Sequence, residues 1–181
     1  MKLNGAVLAG TALMAVTALF FVGGCTSTST RADLKVVSVN GGSTFYSDLY
    51  NDKDSLNPYI PTDNVVVTFT NSPHTGGAPL DPGTPFSEII VDHYRVTYDN
   101  GIYSPIAGGM NLTVPSGTSV DASIAISNPS EKAALLYTLT TTSIATARID
   151  FTGWVRTAGN NGDRVSAVAY LSVQVDNFAD K

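Results

Sequence analysis

The sequence predicts an all-β domain, a sandwich of about seven strands with one short helix near residues 129–137. Three observations carry this. From Asp33 onward the chain is dominated by valine, threonine, isoleucine and tyrosine, the residues that fit a pleated, half-buried surface. Clusters of glycine, proline and asparagine punctuate these runs at short intervals. The last two runs keep a period of two, as strands with one buried face require.

The strands follow in order. Residues 34–39 form the first. Residues 65–70 form the second, with Val65, Val67 and Phe69 on one face. The third spans 88–99 and closes at Asp99-Asn100-Gly101, a turn sequence. Segments 102–103 and 110–114 are short. In 119–127, Val120, Ala122, Ile124 and Ile126 alternate on the inward side. Asn128-Pro129-Ser130-Glu131 then reads as a helix start: a capping asparagine, a proline at the first helical position and a glutamate three residues after the cap. Residues 132–137 continue that helix, and 144–156 and 164–176 are the final and longest strands.

The final hairpin has a parity constraint. Ala145, Ala147, Ile149, Phe151 and Val155 share one face; Val165, Ala167, Ala169, Leu171, Val173 and Val175 share one face of the partner. Antiparallel partners point to the same side, so a two-residue turn at Asn161-Gly162 mismatches the faces. A three-residue loop, Asn160-Asn161-Gly162, matches them. It places Trp154 opposite Val168 and Thr152 opposite Tyr170, and so gathers Trp154, Val168 and Tyr170 on the outward face. Such a cluster is either a contact surface or is covered by a loop or by the first strand. Strand number, spacing and the helix before the penultimate strand fit an immunoglobulin-like sandwich without its cysteine pair.

The N-terminus carries an address. Lys2 precedes an uncharged apolar stretch, Leu3 to Val22, and Val22-Gly23-Gly24-Cys25 follows. These four positions resemble the lipobox of bacterial lipoproteins. The resemblance implies a leader over 1–24, cleavage before Cys25, a diacylglycerol on its thiol and a fatty acyl chain such as palmitate on its amino group. Thr26, where aspartate would retain the protein at the inner membrane, implies the outer membrane. The alternative is an uncleaved transmembrane helix; both place the body outside the cytoplasm, with Lys2 on the inner side. Residues 25–32 read as a lipidated, flexible tether and 33–181 as the domain.

Other segments resemble a group of uncharacterised bacterial lipoproteins with an immunoglobulin-like domain. These are Val91-Asp-His-Tyr-Arg-Val-Thr-Tyr98 with Asp99-Asn-Gly101, then Ala147-Arg-Ile-Asp-Phe-Thr-Gly-Trp154, Gly159-Asn-Asn-Gly162, Val165-Ser-Ala167 and Val175-Asp-Asn-Phe-Ala-Asp180. The resemblance spans roughly residues 44–180. It implies the fold and the address, and no catalytic residues.

Chemistry is sparse. The chain has one cysteine, and lipidation would consume it, which leaves no disulfide and no thiol nucleophile. The net charge is −5 and no basic cluster is present, which argues against nucleic acid. The two histidines, His74 and His93, are too few for an ordinary zinc site. No nucleophile elbow, P-loop or His-Glu-x-x-His motif occurs. Asp92 and His93, as strand neighbours, point to opposite faces and form no acid–base dyad unless the strand bulges. Asp92 also interrupts the apolar parity of Ile90, Tyr94, Val96 and Tyr98, which marks either a bulge or a carboxylate satisfied by a neighbouring loop.

The connection from Asn40 to Asn64 is the longest and the main candidate site. Asp48, Asn51, Asp52 and Asp54 could supply oxygen ligands to Ca²⁺, or form a solvated acidic loop. Tyr46, Tyr50 and Tyr59, together with Trp154 and Tyr170, could form a binding surface. A second long loop, 71–85, is rich in proline and glycine. The expectation is a non-enzymatic, membrane-anchored envelope module that binds or spaces a protein partner, with no cofactor and no small-molecule substrate. The alternative is a carbohydrate-binding module using the loop tyrosines or Trp154; a hydrolase is third.

Overall fold

The computed structural model describes residues 32–73, 88–156 and 161–178. The described residues form an all-β sandwich of eight strands in two sheets with one α-helix. The strands are β1 (Ala32–Val39), β2 (Phe45–Asp48), β3 (Asn64–Pro73), β4 (Glu88–Tyr98), β5 (Ile106–Pro115), β6 (Ser119–Ala125), β7 (Ser143–Arg156) and β8 (Asn161–Asp176); the helix is α1 (Pro129–Thr138). One sheet has the order β1-β3-β6 and the other β2-β8-β7-β4-β5. All pairings are antiparallel except β2 with β8, which is parallel.

The core lies between the sheets. Val65, Val67 and Phe69 of β3 meet Ile149 and Phe151 of β7, all buried. The Phe69 and Phe151 rings pack edge to face at 4.8 Å. The odd-numbered residues of β7 and β8 supply the inner face of the larger sheet, as the alternation predicts. Asn128 caps α1 by accepting from Ser130 N at 3.1 Å, with Pro129 as the first helical residue. Glu131 does not close back on the cap; its carboxylate accepts from Ser104 N instead.

Several expectations are corrected. The 40–64 connection is not an open loop: it holds a 3-10 turn at Asn40–Gly42, strand β2 and an Asn51–Tyr59 bridge. Residues 102–103 form no strand, and β5 begins at Ile106. The first strand starts at Ala32, inside the expected tether.

The last hairpin keeps the expected parity but not the expected register. Trp154 pairs with Arg164 and Thr152 with Ser166, while Tyr170 pairs with Arg148 and Val168 with Asp150. Asn161 and Gly162 lie inside β8, Asn161 opposite Arg156, so they are not the turn. The strands therefore join through 157–160, and a bulge shifts the ladder between Trp154 and Arg156. Up to Trp154, each residue of β7 finds a partner four positions earlier on β8 than a three-residue loop would give. A shift of four preserves which face each side chain takes, so alternation alone could not detect it.

The interruption at Asp92 is a bulge. The ladders of β4 with both β5 and β7 shift register between Val91 and His93. Ile89 and Val91 point inward before it, and Val96 points inward after it, so the buried parity switches from odd to even at this residue. Gly153 sits opposite Val91, where a Cβ would lie 2.4 Å from the Ile90 carbonyl oxygen.

Candidate functional site

A groove lies between β1 and the outer edge of β8. It has a volume of about 490 Å³ and is lined by residues 36–39, 42–44 and 168–172. None of these side chains is charged. Three physical facts make the groove. First, β2 pairs with β8 only from Phe45–Val173 to Asp48–Asp176. From Arg164 to Ser172, β8 therefore has β7 on one side and no strand on the other among the described residues. Second, β1 runs alongside but hydrogen-bonds to β3 rather than to β8. Third, Val37 is an extra residue in β1: Val36 pairs with Phe69 and Ser38 with Thr68. The bulge twists this edge and pushes the Val37 side chain out, 60% exposed.

Two further exposed side chains, Val168 and Tyr170, stand on the outward face beside the groove, at 45% and 65% exposure. They are not covered by a loop or by β1 among the described residues. Trp154 does not join them. It pairs with Arg164, six residues from Tyr170, which separates the two rings by roughly 20 Å along the strand. The expected three-residue cluster is thus a Val168–Tyr170 pair at the groove, with a half-buried Trp154 elsewhere on the sheet.

The loop tyrosines are also dispersed. Tyr46, on β2, is exposed and packs edge to face against Phe178, with rings at 84°. Tyr59 is exposed in its bridge to Asn51, and Tyr50 is half-buried. No flat stack of rings results.

Two of the four candidate oxygen ligands, Asp48 and Asp54, accept hydrogen bonds from the protein itself. Asp48 Oδ1 accepts from the backbone N–H of Phe178 at 3.1 Å. Asp54 turns onto its own loop, accepting from Leu56 N and Asn57 Nδ2 at 3.0 and 2.9 Å. The Asn57 amide and these backbone N–H groups hold the Asp54 carboxyl below its ordinary value. Among the described residues no three His, Cys, Asp or Glu side chains gather around a common point.

The bulge does bring Asp92 and His93 together. Asp92 Oδ1 lies 3.1 Å from His93 Nδ1, Arg164 Nη1 donates to Oδ2 at 2.7 Å, and Thr152 Oγ1 donates to Oδ1 at 3.3 Å. Partial burial pushes the Asp92 carboxyl up, but the His93 and Arg164 bonds outweigh it and leave it below its ordinary value. Thr152 Oγ1 donates to this carboxylate rather than to the imidazole. His74 lies outside the described residues, as do Cys25 and most of the 71–85 loop.

A second constellation was missed from sequence. Beneath α1, Lys132 Nζ donates to Asp63 Oδ1 at 2.7 Å and to the Pro61 carbonyl at 2.9 Å. Asp63 Oδ2 accepts from Ser47 Oγ at 2.5 Å and Ser127 Oγ at 2.7 Å. Tyr103 Oη, 2.8 Å from Ser47 Oγ, is left as the donor, because Ser47 gives its proton to Asp63. Ser47, Asp63, Tyr103, Ser127 and Lys132 are all buried. Burial foremost drives the Tyr103 and Tyr98 hydroxyls above their ordinary values. Each polar atom named has a partner, so the cluster acts as a polar clasp joining β2, the segment just before β3 and α1. One sequence signal existed: Lys132 occupies the same helical stripe as Leu135, Leu136 and Leu139, a position where a charge is buried.

Neither a scan against protein-family models nor a search of curated proteins returned a match to this chain.

Proposed function

We propose that this chain is a lipid-anchored protein of the bacterial cell envelope whose sandwich binds another envelope protein without catalysis. The lipobox at Val22-Gly23-Gly24-Cys25 supports the anchor, and Thr26 supports the outer membrane. The observation that carries the binding reading is the uncharged groove between β1 and β8, flanked by exposed Val37, Val168 and Tyr170. Interface centres are depleted of charge and enriched in tyrosine, as this surface is.

The test is a photo-crosslinking residue at position 168 of the full-length protein, expressed in its own envelope. A discrete protein adduct is expected, and Val37→Glu should abolish it. Adducts only to lipid, or an adduct indifferent to Val37→Glu, would count against this function. The exposed rings of Tyr46 and Tyr59 favour one second reading, glycan binding. Retention of the full chain on envelope polysaccharide that is lost in Tyr46→Ala would select it.

A further inference from the structure

We propose that β5 is a self-association edge, through which two copies of this chain join into one continuous sheet across a two-fold axis. The edge is separate from the groove and does not rest on it.

A strand edge offers unpaired N–H and C=O groups, and charge, a bulge, proline or short length normally guards it. The other outer strands follow this rule. β1 carries Asp33, Lys35 and the Val37 bulge. β2 is four residues long, and β6 carries Asp121. β5 is ten residues long, holds no charged residue, and has its only proline, Pro115, as its last residue. Burial alternates along it from Ile106 to Val114. It pairs with β4 on one side and with no described strand on the other. Among the described residues, hydrogen bonds tie it to the facing sheet at its end alone. There Asn71 Nδ2 donates to the Val114 carbonyl at 3.0 Å, and the Asn71 carbonyl accepts from Gly117 N at 3.1 Å.

The missing charge selects the occupant. Pairing an edge with its own copy about a two-fold sets like residues near or opposite one another, so a charge there meets itself. The chain carries none from Asn100 to Val120. Faces must match as well, because antiparallel partners point to the same side. Full overlap of residues 106–114 matches them, with Met110 opposite itself and Ala107 opposite Thr113 of the second copy. Met110 and Leu112 point inward yet are only half-buried, because the three-stranded sheet ends at β6 without overhanging them. A second copy covers both. An added strand lies in the plane of its own sheet, about 10 Å from the facing one, so β6 leaves it room. The axis stands normal to the sheet, so both copies keep β1 on the same side and both inferred anchors reach one bilayer. Confinement there raises the effective concentration for a pairing that buries little area.

Sedimentation of the full-length chain in detergent, over about 1–100 μM, tests this. A reversible monomer–dimer equilibrium is expected. Ala107→Lys with Thr113→Lys sets lysine opposite lysine at both ends of the pairing and should weaken the dimer at least about fivefold. Ala107→Lys with Thr113→Asp sets lysine opposite aspartate and should leave the dimer as tight as the unaltered chain's, or tighter. Both sites are exposed, and the second variant controls for any effect of the first on folding. An unaltered chain that stays monomeric throughout would overturn the proposal, and so would a dimer indifferent to both variants. Equal weakening by both would overturn the antiparallel pairing, because only that pairing sets 107 opposite 113. The position-168 adduct is read separately, so the protein-binding reading stands or falls on its own result.

Discussion

Lys132 shows how much one residue can hold. Its ammonium is fully buried and its two partners come from Pro61 and Asp63, far away in sequence. Removing a charge from its pairing is costly because the other charge stays behind in a poor solvent. Lys132→Met should therefore lose about 3–5 kcal/mol of unfolding free energy, read as a drop in the denaturant midpoint. Asp63→Leu combined with Lys132→Met should recover much of that loss, because no uncompensated charge remains. Recovery would stay incomplete, since the hydroxyls of Ser47 and Ser127 lose their acceptor. A double variant no better than the single one would show that shape, not charge pairing, dominates here. The sequence contained Lys132 in an apolar helical stripe but nothing that named Asp63. Their contact depends on how α1 settles against the β2–β3 connection, a tertiary fact with no local signature.

Elements were legible where a period ran uninterrupted. In β3 from Val65 to Phe69, β7 from Ala145 to Phe151 and β8 from Val165 to Val175 each second residue is apolar, and those faces turned inward. Register was not legible, because faces repeat every two residues while pairing depends on the turn and on bulges. Asp92 was the useful exception: an acid in an apolar parity signalled a break, and the break is what lets Asp92 and His93 meet. The short parallel β2 was invisible for a different reason. Four residues give no periodicity, and parallel pairing is selected by the strand it joins. Gly153 makes the bulge testable. It faces Val91, and an added methyl would press 2.4 Å from the Ile90 carbonyl oxygen and 3.0 Å from the Val91 Cα, both backbone atoms that cannot swing away. Gly153→Ala should cost at least about 2 kcal/mol, although alanine is otherwise harmless in a strand. An unchanged melting temperature would mean that the strands beside the bulge are looser than these distances require.

The whole molecule joins a groove-bearing sandwich to an inferred membrane anchor, and distance ties the two together. From Cys25 to Ala32 the chain can span no more than about 25 Å even when fully extended. β1 starts at Ala32 and lines the groove by Val36, so a lipid on Cys25 would keep the groove within reach of the bilayer and restrict its partners to proteins that approach it. Several acyl chains would make that attachment stable, where a single chain would not. Fractionation alone does not test this, since an uncleaved Leu3–Val22 segment would also stay in the membrane. Intact mass does. The lipid-anchored protein should begin at Cys25, carry the mass of a diacylglycerol and at least one further acyl chain, and incorporate labelled palmitate. Cys25→Ser should remove the label and leave the chain beginning at Met1. A wild-type chain that begins at Met1 without label would replace the lipid with a spanning helix. The groove would then still sit at the membrane, but on a protein held by its leader rather than by its only cysteine.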